Sequence, residues 1–136
     1  MRKIKRVLLV DDDNITNKLN TMVLEKSGVV EHIDIAKNGE EALEFLKKPM
    51  VDESFPRPEL ILLDINMPIM NGWEFLEAYK AMPEEYQGGI VIMMLTSSLN
   101  KTDELKSKNY KIDKFIKKPL TVDKFLSIVE EAFPND

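Results

Sequence analysis

The stretch "RVLLVDDDNITNKL", Arg6 to Leu19, runs an apolar segment straight into three acids and then into a helical pattern. Val7 to Val10 is apolar without alternation, as in a parallel strand covered on both faces. Asp11, Asp12 and Asp13 follow with no spacer. Adjacent carboxylates repel one another unless a cation, a basic side chain or water compensates them. The run therefore predicts that something positive binds where this strand ends.

Working outward, three more apolar runs have the length of buried strands: "LILL" (60–63), "IVIMML" (90–95) and the weaker "KFI" (114–116), with the alternating "HIDIA" (32–36) as a fifth candidate. Helical patterns separate them. Asn14 to Lys26 carries Ile15, Leu19, Met22 and Val23 at helical spacing and stops at Ser27-Gly28, where glycine supplies a C-cap. Asn38-Gly39 turns into "EEALEFLKK", stopped by Pro49. "NGWEFLEAYKAM" is stopped by Pro83, "NKTDELKSKN" is a polar helix candidate, and "TVDKFLSIVEEAF" starts at the N-cap Thr121. Strand followed by helix, repeated along the chain, predicts an α/β fold with a parallel sheet and helices on both faces. The segment Lys48 to Glu59 is expected to be an extended loop whose role the sequence does not reveal.

The 136 residues fit one domain, 1–136, large enough to bury roughly 70% of its unfolded surface. Hydrophobic residues at 43% and charged residues at 32% are those of a globular protein. A net charge of −5 argues against a nucleic-acid partner, because phosphate backbones would be repelled. The lack of cysteine excludes disulfides, thiol nucleophiles and thiolate metal sites. The apolar run behind "MRKIKR" is too short for a signal peptide or membrane span, so a cytoplasmic chain, complete as it stands and not inserted in a membrane, is expected.

In a parallel sheet ligands gather at the carboxyl ends of the strands. The residues there are Asp11-Asp12-Asp13 after the first strand, Asp64 after the third, Thr96-Ser97-Ser98 after the fourth and Lys118-Pro119 after the last. Carboxylates with a backbone carbonyl and waters suit Mg2+, which prefers to share its shell with phosphate oxygens. A hydroxyl and an ammonium opposite would hold those oxygens. Together these groups describe a phosphoryl-transfer site.

"LLVDDD", "LILLDINMPIMNG", "MMLTSS" and "FIKKP" resemble, in order and over nearly the whole chain, the blocks of the receiver domain of two-component response regulators. The resemblance implies a flavodoxin-like, three-layer α/β/α fold with five strands in the order 2-1-3-4-5. It implies that Asp64 accepts a phosphoryl group from a sensor histidine kinase or a histidine phosphotransfer protein. Asp12 and Asp64 would ligate Mg2+ by side chains, Asn66 by its backbone carbonyl and Asp11 through a water. Thr96 would bond a phosphoryl oxygen, Lys118 would pair with the group, and Phe115 would be the aromatic switch residue that follows Thr96. Such proteins catalyse their own phosphorylation from a phosphodonor and their own dephosphorylation. In the family the Lys118–Pro119 bond is cis, and Pro68 and Gly72 shape the loop behind Asp64. Ser97 is small, as access to Asp64 requires, and Asn66 and Ser98 stand at positions that tune hydrolysis. Since only "PND" follows the last helix, a stand-alone receiver is expected. Its output would pass to a separate effector through the fourth helix, fifth strand and fifth helix.

Asp13 is an extra acid, read first as a first-turn residue favourable to the helix dipole and second as a ligand. Lys117 could serve as well as Lys118, with the following proline favouring Lys118. His32 is taken as structural and Trp73 as a packing residue. A different class, a haloacid-dehalogenase-like phosphatase, would use Asp11 as nucleophile and Asp13 as acid/base, but leaves "LLDINMP" unexplained. A flavodoxin-type cofactor binder would need a Gly/Ser/Thr-rich phosphate loop after the first strand, where this chain has acids that would repel the flavin phosphate.

Overall fold

The computed structural model describes residues 3–48, 57–87, 90–97 and 100–133; most of the Lys48 to Glu59 loop and Ser98 fall outside them. Five parallel strands lie in the order β2-β1-β3-β4-β5, formed by β1 (Ile4–Val10), β2 (Val30–Ala36), β3 (Leu60–Asp64), β4 (Val91–Thr96) and β5 (Lys114–Lys117). Helices α1 (Asn14–Ser27), α2 (Gly39–Lys47), α3 (Gly72–Lys80), α4 (Lys101–Ser107) and α5 (Val122–Ala132) alternate with them, and an unanticipated 3-10 turn spans Glu84–Tyr86. This is the expected doubly wound, flavodoxin-like architecture.

The apolar runs of β1, β3 and β4 are buried on both faces because alternate side chains enter two cores, whereas β5 buries only Ile116. Leu8, Val10, Ile61 and Leu63 meet Ala42 and Leu46 of α2 and Phe75 and Leu76 of α3. Val7, Leu9, Leu62 and Met93 meet Leu24 of α1 and Phe125 and Val129 of α5. Each such side chain contributes roughly 1.5–3 kcal/mol by leaving water. Of the two charged residues inside β1, Lys5 is exposed, while Arg6 is buried and is compensated by an ion pair with Asp34 on β2.

Helix starts follow the chemistry of short polar side chains. Asp13, Asn38, Asn71, Asn100 and Thr121 each accept a bond from a backbone N–H of the first turn, and each such cap is worth about 1 kcal/mol. At the other end of α1, Gly28 takes the left-handed conformation at φ 72°.

Helix α1 departs from its apolar pattern. The periodicity of Ile15, Leu19 and Met22 correctly marks a helix, yet these residues are 70%, 56% and 45% exposed, while Asn17, Asn20 and Leu24 face inward. Helix α4 presents no buried side chain at all.

Candidate functional site

The strand order reverses at β1, whose neighbours are β2 and β3, so the crevice predicted for ligands lies where β1 and β3 end. Asp64 and Thr96 are the last residues of their strands, held in the ladder by Asp64 facing Leu95 and Thr96 facing Lys117. Both are buried, as is Asp11, whereas Asp12 is exposed. One carboxylate oxygen from each of Asp11, Asp12 and Asp64 lies within 4.8 Å of the others. Three hard oxygen donors so close together fit a divalent cation such as Mg2+ or Mn2+ and poorly suit softer metals.

Lys118 reaches two of the three acids. Its Nζ stands 3.0 Å from Asp64 Oδ1 and 3.3 Å from Asp11 Oδ2, and its backbone N–H donates to Thr96 O at 2.8 Å. The peptide between Lys118 and Pro119 is cis. Lys117, the competing candidate, is exposed. Burial first, then repulsion from Asp11, raises the pKa of Asp64, with Lys118 pulling back only in part. For Lys118 burial pulls downward, but Asp64 and then Asp11 outweigh it and the net shift is upward.

The loop after Asp64 is tightly folded. Gly72 N–H donates to Ile65 O at 2.8 Å, and a Cβ on Gly72 would lie 2.5 Å from Asp64 O. Gly39 at the start of α2 donates to Met70 O at 2.9 Å. Within this loop Ile69 has φ 66° and is 75% exposed, and Asn66 is exposed two residues past Asp64. Phe115 is half-buried on β5 against the α2/α3 core.

Asp13 does not join the acid cluster. Its carboxylate accepts from both the N–H and the hydroxyl of Thr16, and the hydroxyl bond is the leading cause of its lowered pKa. His32 is exposed on the edge strand β2. Trp73 is buried and donates its indole N–H to Asp103 of α4 at 3.2 Å. Sequence reasoning passed over Asn17, whose buried amide donates to Asp11 O at 2.8 Å. The only signal for it was a polar residue one turn behind the acids, masked by the apolar stripe beside it.

The model of the response regulator receiver domain matches residues 7–130, and the chain belongs to that family. Response regulator Rcp1 of Synechocystis is 31% identical over 93% of this chain and 84% of its own length. By contrast the chain spans 6% of hybrid signal transduction histidine kinase B of Dictyostelium discoideum. Among solved structures, a two-component response regulator from Cytophaga hutchinsonii superposes with a TM-score of 0.85 at 32% identity, covering 98% of this chain and 100% of that one. The Mn2+-bound form of Rcp1 gives 0.70 at 32% identity, covering 95% and 93%. The protein is thus a receiver of two-component signalling, a class that binds a divalent metal at these acids and works with histidine kinases and downstream effectors. Among the described residues no helix is long and apolar enough to cross a membrane.

Proposed function

We propose that Asp64 accepts a phosphoryl group from a histidine kinase or histidine phosphotransfer protein in the cytoplasm, and that the single receiver domain, 1–136, then switches its affinity for an effector. The observation that carries this reading is the placement of the Lys118 ammonium 3.0 Å from the buried Asp64 carboxylate, itself one of the three clustered acids. Asp64 attacks the phosphorus, its carboxylate oxygen forming the new P–O bond while the P–N bond to the donor imidazole breaks, and the released nitrogen keeps the electron pair. Mg2+ held by Asp12, Asp64, the Asn66 carbonyl and, through water, Asp11 would offset repulsion between the acids and the incoming dianion. Lys118 gives up Asp64 and pairs with phosphoryl oxygens, and the Thr96 hydroxyl donates to another. With Thr96 drawn toward the group, Phe115 turns inward and the surface of α4, β5 and α5 changes. The acyl phosphate is later hydrolysed in the same pocket, which ends the signal.

Donor docking is supported by α1. Ile15, Leu19 and Met22 are exposed at i, i+4 and i+7, the anchor spacing of a helix that packs on another helix. Of these, Leu19 and Met22 line a groove of about 370 Å³ that reaches Lys118, Pro119 and Leu120. The phosphatase alternative is disfavoured because Asp13, its acid/base, is occupied as the cap of α1.

The test is intact mass after incubation with Mg2+ and acetyl phosphate, beside Asp64→Asn. One added phosphoryl group that needs Mg2+ and is lost in the variant is expected. An adduct that survives in Asp64→Asn would overturn the assignment of the acceptor.

A further inference from the structure

Asn17 stands out among the groups around the site because its burial is costly. The residue is 3% exposed, yet its Oδ1 is buried with no hydrogen-bond partner among the described residues. A buried amide with an orphaned acceptor is a poor choice for stability, since an aliphatic side chain of similar size would carry no such penalty. What the amide does achieve is specific: Nδ2 donates at 2.8 Å to the backbone oxygen of Asp11. That oxygen belongs to the peptide linking Asp11 to Asp12, so the bond fixes the plane from which the Asp12 side chain departs. The remaining restraints on the turn act elsewhere. Asp11 N–H donates to Ala36 O at 3.0 Å, and the Asp11 carboxylate accepts from Asp13 N–H at 2.9 Å. Neither holds the Asp11–Asp12 peptide itself. Asn17 is in turn anchored in the first turn of α1, its own N–H donating to Asp13 O at 3.0 Å.

We propose that Asn17 is a positioning residue for metal binding, clamping the Asp11–Asp12 peptide so that the exposed Asp12 carboxylate is presented to the same cation as Asp11 and Asp64. This rests on the metal site described under the proposed function and adds a residue that touches neither metal nor phosphoryl group. Groups that orient metal ligands typically change affinity by about 10- to 100-fold when removed.

The experiment measures the Kd for Mg2+ by calorimetry on the full chain, with circular dichroism melts in EDTA. The variants are Asn17→Leu, which keeps the branched shape without the amide, and Asn17→Ala, which covers the case in which the larger leucine does not fit. Asp12→Ala serves as a control. The expected result is a Kd raised about tenfold in whichever Asn17 variant is folded, together with a smaller Mg2+-induced rise in melting temperature. A folded Asn17 variant that binds Mg2+ within about twofold of the parent overturns the proposal, including the case where only the melting temperature in EDTA falls, which is the mark of a purely structural residue. If Asp12→Ala also binds Mg2+ like the parent, the metal site itself has been misplaced and the role of Asn17 falls with it.

Discussion

Lys118 and Asp64, 54 positions apart in the chain, meet at 3.0 Å across the ends of β5 and β3. The ammonium also reaches Asp11 Oδ2 at 3.3 Å, so it draws on two of the three acids that are placed to hold a cation. Lys118→Met is therefore expected to tighten Mg2+ binding roughly tenfold, a change of about 1.4 kcal/mol. The same variant leaves the acids uncompensated without metal and lowers stability in EDTA by about 2 kcal/mol, less than for a fully buried pair because the lysine side chain is 26% exposed. Calorimetry and urea unfolding check the two halves separately.

Asp64 links the site to pH. Its folded-state pKa is raised, by burial first and then by Asp11. The folded protein thus holds this proton more tightly than the unfolded chain. The contribution is fully present below the unfolded value of about 3.8 and is lost as pH rises through the folded value. At neutral pH Asp64 is a liability, and Asp64→Asn is expected to raise the melting temperature in EDTA. The gain over the parent shrinks as pH is lowered toward 4, which a pair of melts at about pH 7 and pH 4 reads directly.

Gly72 is required by close approach. An added methyl would meet the backbone oxygen of Asp64 at 2.5 Å, and backbone cannot swing aside as a side chain can. Gly72→Ala is expected to cost roughly 3 kcal/mol in urea unfolding and to weaken Mg2+ binding by displacing the strand end that carries Asp64.

Ile69 is a β-branched residue at φ 66° with 75% of its surface in water. A left-handed conformation costs such a residue roughly 1–2 kcal/mol, and asparagine tolerates it better. Ile69→Asn is expected to stabilise the protein by about 1 kcal/mol in urea unfolding; a loss of stability would show that the isoleucine is held by packing.

Helix α4 has no buried side chain and is tied to α3 through the Trp73 indole on Asp103, reinforced by Lys106 over the Trp73 ring at 6.0 Å and by Tyr110 donating to Glu77 at 2.9 Å. Removing the acceptor with Asp103→Ala is expected to speed amide exchange in residues 101–107 by roughly tenfold. Asp103→Asn, which keeps an acceptor oxygen, is the control. Unchanged exchange in both variants would mean that the hydrogen bond does not hold the helix.

Much of this architecture was legible in the chain because its signals are local. Apolar runs without alternation at 60–63 and 90–95 mark the buried parallel strands found at Leu60–Asp64 and Val91–Thr96, and Thr121 and Gly28 mark helix ends by side-chain and backbone chemistry within a few residues. The acids were legible as a site because Asp11, Asp12 and Asp64 all follow such runs. The 3-10 turn at Glu84–Tyr86 was not, since one turn leaves no periodicity to detect.

The sequence by itself determined the alternation of strand and helix and the kinds of residue at each strand end, because conformational preference acts over a few neighbours. Only the tertiary structure decided which side chains converge. It turned Asn17, Asn20 and Leu24 of α1 inward and left Ile15, Leu19 and Met22 in water. It made Asp13 a cap and not a member of the cluster, and it set Lys118, which the following proline already favoured over Lys117, against Asp64. These outcomes depend on the twist and register of a sheet whose paired strands lie tens of residues apart. The direction of a side chain across that distance is a property of packing, which no short stretch of sequence encodes.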